Sequence, residues 1–110
     1  MKKLHVSLLV ALFAITVAAW ASSKTTTVSG WVVDDMCGVK GARAGAEECA
    51  RKCLNEGAKM VVVTDTDKRL LYVENPDALK EHIGAHVSVQ GTVDGDKLHV
   101  ESAQATTAGK

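Results

Sequence analysis

The chain has 110 residues, and its 13 basic side chains are balanced by 13 acidic ones, with three cysteines and four histidines. That length holds one small domain whose core alone gives modest stability. The balanced charge, with no block of lysine or arginine, argues against nucleic acid as a partner, because phosphate binding needs clustered positive charge.

Lys2 and Lys3 form a short positive head, and Val6 to Ala19 is an almost unbroken apolar run. Ala19-Trp20-Ala21 puts small residues at the two positions a signal peptidase reads, so residues 1–21 are expected to be a signal peptide. The run falls short of the roughly 20 residues that span a bilayer, and polar Ser22-Ser23-Lys24-Thr25 follows it. The expectation is therefore a periplasmic or secreted protein with no stable membrane anchor after cleavage, and most simply a monomer. Loss of Lys2 and Lys3 leaves 11 basic against 13 acidic residues, a formal charge of about −2. Export also changes how the cysteines read: outside the cytoplasm, closely spaced cysteines are more often disulfides than thiols.

Residues 22–26 form a polar lead-in, 27–103 a single folded domain and 104–110 a polar tail expected to be disordered. Thr27 to Val33 alternates, with Val28, Gly30 and Val32 on one face, and predicts the first strand; Gly30 marks a bend. Gly38 to Gly45, rich in glycine, predicts a loop. Ala46 to Glu56 predicts a helix, with Ala46, Cys49, Ala50, Cys53 and Leu54 on one apolar face and Glu47–Arg51 and Glu48–Lys52 pairs on the wet one. Met60 to Val63 and Leu70 to Val73 predict two strands joined by a Thr64–Lys68 turn. Asn75-Pro76 predicts the cap and first position of a second helix, with Leu79 and Ile83 facing the core. His86 to Val93 alternates with its histidine outward, and Asp94-Gly95-Asp96 turns the chain into a last strand on which Leu98 and Val100 face in and His99 faces out. The whole predicts a mainly β fold with two short helices, an OB-like five-stranded barrel carrying a cysteine-bearing helical insert between strands 1 and 2. An α+β sheet with two packed helices is the rival architecture.

Certain stretches carry a resemblance: Gly30-Trp31-Val32-Val33-Asp34-Asp35-Met36-Cys37-Gly38, then Cys49 and Cys53 followed by Gly57-Ala58, then Gly84-Ala85-His86-Val87-Ser88-Val89-Gln90-Gly91-Thr92-Val93. In these and in its leader the chain resembles a family of small exported bacterial proteins. The resemblance implies export and an OB-like fold and implies no particular activity.

All three cysteines fall between Asp34 and Gly57. Cys49 and Cys53, four apart on one helix, have Cβ atoms about 5–6 Å apart, too far for the ~3.8 Å a disulfide wants. A bridge from Cys37 to either is easier and would contribute about 3 kcal/mol. The first expectation is thus a non-catalytic binding or accessory module stapled by a disulfide, with a protein, peptide or saccharide partner for the barrel surface. The alternative uses Cys37, Cys49 and Cys53 together as soft ligands for copper or zinc, with Asp35, or Asp34 beside it, adding an oxygen. A thiol-redox protein is the third reading, in which the leftover thiol attacks the bridge. No nucleophile–base pair, phosphate loop or paired carboxylate points to an enzyme. Asp65, Asp67, Asp94 and Asp96 read as turn residues, and His82, His86 and His99 as half-exposed or solvated.

Overall fold

The computed structural model describes residues 25–106. The signal-peptide reading of residues 1–21 lies outside them, as do residues 107–110. Five strands form: β1 (Thr26–Asp34), β2 (Met60–Thr64), β3 (Leu70–Val73), β4 (His86–Asp94) and β5 (Lys97–Ala105). They close into a ring in the order β1-β2-β3-β5-β4. All neighbours are antiparallel except β3 and β5, whose parallel pairing of Tyr72 with Lys97 and Val73 with Leu98 closes the ring.

The first strand serves two neighbours. Thr26 to Trp31 pairs with β4, and Gly30 to Asp34 pairs with β2. Gly30 sits at the changeover, where a Cβ would lie 2.1 Å from the carbonyl oxygen of Val63. Gly91 repeats the device on β4: its Cβ would lie 2.1 Å from the His99 carbonyl oxygen, beside a register shift at Gln90/Gly91. Both glycines permit a backbone approach that no side chain allows.

The interior holds Val28, Val32, Met60, Val62, Leu71, Val87, Val89, Leu98 and Val100, with Leu79 closing one end. Leu79 comes from the 3-10 helix Pro76–His82, and its full burial is worth about 2 kcal/mol. A second cluster, Trp31, Val33, Val61 and Val63, lies on the outer face of β1 and β2 under Ala42 and Leu70. Two buried faces explain why β2 reads as a continuous apolar run, and why Trp31 and Val33 of β1 are buried on the face opposite Val28 and Val32.

Several expectations change in detail. The Gly38–Gly45 loop contains a 3-10 turn at Gly38–Gly41, and the helix after it, α1, is Glu47–Asn55. Asn75 does not cap the second helix. Its amide binds the backbone of Val100 twice, with Nδ2 donating to the carbonyl at 2.8 Å and Oδ1 accepting from the N–H at 2.9 Å. An amide side chain imitates a neighbouring strand there, and that pairing outcompetes the cap. Gln104 and Ala105, expected to start the tail, belong to β5 and pair with Ser88 and Val87. Among the described residues no helix is long and apolar enough to cross a membrane.

Candidate metal centre

Asp34, the last residue of β1, is 1% exposed. Its Oδ2 accepts the backbone N–H of Cys37 at 2.9 Å, which folds the chain back on itself as a short carboxylate side chain readily does. Asp35 holds the other side of the turn. Its N–H donates to the Lys59 carbonyl and its Oδ1 accepts the Lys59 N–H, both at 2.9 Å. Cys37 is thereby fixed against the β1–β2 edge.

The 3-10 turn then carries the chain over Val33, and α1 returns it. Ala50 is the buried residue of that helix and Ala46, just before its first residue, is buried with it, while Glu47 pairs with Arg51 at 2.9 Å on the wet side. Cys49 and Cys53 stand on successive turns beside the alanines. This packing brings the Sγ of Cys49 to 3.6 Å from the Sγ of Cys37. All three sulfurs lie within 4.8 Å of one another. Cys37 and Cys53 are half-buried, and Cys49 is exposed. A cavity of about 120 Å³, bordered by Asp34, Cys37, Cys49, Lys40 and Arg43, opens beside them.

The expected 37–49 or 37–53 disulfide is not formed: all three are free thiols, and 3.6 Å is far beyond a sulfur–sulfur bond. The expected full set of ligands also changes. Asp35 is not part of the converging group, because Lys59 holds its carboxylate. The expected burial of Cys49 is wrong as well, since Ala50 and the preceding Ala46 seat α1 and Cys49 is left exposed.

Cys37 and Cys53 are pushed toward the protonated form. The hydrogen bond with Cys49 pushes the Cys37 thiol up, with desolvation and the Asp34 charge adding to it. Desolvation, then the Asp34 charge, pushes the Cys53 thiol up from 9.0 to about 12. A thiol whose folded value is raised stabilises the fold below its unfolded value and loses that contribution as pH rises toward the folded one. The reduced protein should therefore hold full stability below pH 9.0 and weaken from there toward pH 12. Urea midpoints across that range should show the decline, and Cys53→Ala should show less of it.

His86 is the residue that the β4 alternation misplaces. It was expected outward and solvated, and it is 5% exposed. Its Nε2 lies 2.7 Å from Oδ2 of Asp65, its Nδ1 is hydrogen-bonded with the Thr106 hydroxyl, and its ring meets Trp31 edge-on at 5.3 Å. The outer face is covered there by Asp65 of the β2–β3 turn and by Thr106, which strand alternation does not register. His86→Ala is expected to cost roughly 2–3 kcal/mol, read as a lower urea midpoint at unchanged slope. Asp67 accepts from the Thr64 hydroxyl, which holds its carboxyl below the usual range. Asp65 and Asp67 do lie in the β2–β3 turn, but Asp65 has the second task of holding His86. His99 is exposed and faces Glu74 at 3.7 Å.

A broader open groove of about 1070 Å³ lies between the end of α1, β3 and the second helix. Leu54, Tyr72 and Ile83 line it with charges of both signs, and among the described residues no group of three cysteine, histidine or carboxylate ligands gathers in it. The thiol site is the better-built one. Compared with protein-family models, curated proteins and solved structures, the chain finds no match.

Proposed function

We propose that this chain is an exported, non-catalytic module that binds one thiophilic ion on Cys37, Cys49 and Cys53. The observation that carries the reading is the convergence of three sulfurs within 4.8 Å from two separate elements. Soft thiolate donors select copper(I), zinc and similar ions over the hard cations that oxygen sites take. The ring order and the helix between β3 and β4 support an OB-like barrel as the scaffold. Export rests on the Lys2–Ala21 leader, and the likeness to small exported bacterial proteins agrees with it.

Binding such an ion displaces thiol protons, so metal affinity rises with pH in the neutral range. Titrating the reduced protein with copper(I) or zinc should give one ion per chain. Saturation at a single thiol per ion, or no binding by the reduced chain, would sink the reading.

One observation favours a second reading. The 3.6 Å approach of Cys37 and Cys49 needs only a small shift to become a disulfide staple. That staple would leave Cys53 half-buried and the barrel surface as the binding face for a protein, peptide or saccharide. The thiol-redox reading is weaker, because attack needs a thiolate and both Cys37 and Cys53 are pushed toward the protonated form.

A further inference from the structure

The three-sulfur reading leaves the ion open, and the surroundings of the site narrow it. Only three donors converge. Among the described residues no fourth cysteine, histidine or carboxylate joins the group. Asp35 is held by Lys59, Oδ2 of Asp34 by the Cys37 N–H, and His86 by Asp65 and Thr106. A closed zinc site takes four protein ligands, so this set suits an element content with three.

Charge narrows it further. Asp34 is buried, borders the thiol cavity, and its Oδ1 has no hydrogen-bond partner. Three thiolates around a monovalent ion keep two negative charges, and around a divalent ion one. Either excess would sit against the Asp34 carboxylate, where partial desolvation makes an unbalanced charge costly. Three thiolates around a trivalent centre are neutral. Lys40 and Arg43 at the cavity rim balance little more than the carboxylate itself.

Resting on the three-thiol reading, we infer that the site's preferred ligand is a trivalent thiophilic oxyacid of the arsenite or antimonite class, held as a neutral three-sulfur complex. With arsenous acid, three sulfur–arsenic bonds form and three arsenic–hydroxyl bonds break. Each thiol proton leaves with one hydroxyl as water, and arsenic remains trivalent, so no oxidant or reductant is needed. Cys49, exposed at the rim, makes the first bond; Cys37, at 3.6 Å, makes the second; Cys53 closes the set. Three sulfurs bonded at about 2.3 Å to one centre lie no more than about 4.0 Å apart, so the Cys37–Cys49 pair at 3.6 Å already fits and the remaining sulfur, within 4.8 Å of both, has to move in by about an ångström or less.

The test titrates the reduced full chain with sodium arsenite, copper(I) and zinc separately and in competition, reading native mass. The expected result is one arsenic per chain with three hydrogens lost and no hydroxyl retained. Asp34→Asn should tighten copper(I) by about tenfold or more while leaving arsenite nearly unchanged, because only the charged complex feels the carboxylate. Cys49→Ser, at an exposed position that folding tolerates, should leave arsenic with one hydroxyl and weaker binding. A wild-type complex that retains a hydroxyl, or copper(I) binding that outcompetes arsenite, overturns the choice of ion and leaves the three-thiol reading standing. Failure of the reduced chain to bind any of the three probes overturns both.

Discussion

Replacing Cys37 by serine is expected to weaken binding of a thiophilic ion by at least about a hundredfold, since loss of an outer-shell partner alone commonly costs 10–100-fold. The ligand set would fall from three sulfurs to the two on α1, which lie four residues apart and span the ion without enclosing it. Stability of the reduced, ion-free protein should change by less than about 1 kcal/mol, because Cys37 belongs to neither apolar cluster. That combination separates the readings. If the cysteines form a staple instead, the same variant would cost about 2–5 kcal/mol under oxidising conditions and would not alter ion binding by the reduced chain. Equilibrium titration with urea unfolding, both run with and without reductant, measures each arm.

Gly30→Ala should be one of the most damaging single methyl additions among the described residues. Its Cβ would meet the Val63 carbonyl oxygen at 2.1 Å and the Val63 carbonyl carbon at 2.8 Å, both backbone atoms that cannot swing aside. To relieve the overlap β1 must part from β2 where β1 changes neighbours, which loosens the ring. A cost of at least about 3 kcal/mol is expected, lowering the melting temperature by 12 °C or more at roughly 4–8 °C per kcal/mol. Gly45→Ala is the control: it has positive φ but nothing within 4 Å of the added carbon, so only about 1 kcal/mol of backbone strain is expected. Because β1 ends at Asp34, slackening it also unseats Cys37, and ion binding should weaken in parallel with the melting temperature.

Much of this arrangement was legible in the residues themselves. The five strands, the bend at Gly30, the helix bearing Cys49 and Cys53 and the helix delivering Leu79 all follow from periodicity and from glycine and proline placement. What could not be read was whatever depends on one element covering another. The His86 side chain packs against Trp31 on the outer face of the ring as its alternation requires, but the β2–β3 turn and Thr106 close over it. Asn75 has the sequence of a cap, and its amide instead binds the backbone of Val100 on β5. At the site, the spacing of Cys49 and Cys53 gave their shared helix face, and the glycine-rich segment made the approach of Cys37 plausible. The roles of the two aspartates were not available in this way. Asp34 and Asp35 are neighbours of the same type, and only the position of Lys59 across the turn determines that Asp35 is occupied and that Asp34 is left facing the thiols.

The most direct test of the three-sulfur centre is thiol labelling with intact mass on the protein as isolated from cells, before and after removal of bound ions under anaerobic conditions. The account predicts one ion per chain, three thiols protected together, and all three released together when the ion is stripped. A chain two hydrogens light, with a single labelled thiol and no ion, would contradict it and make the cysteines a staple.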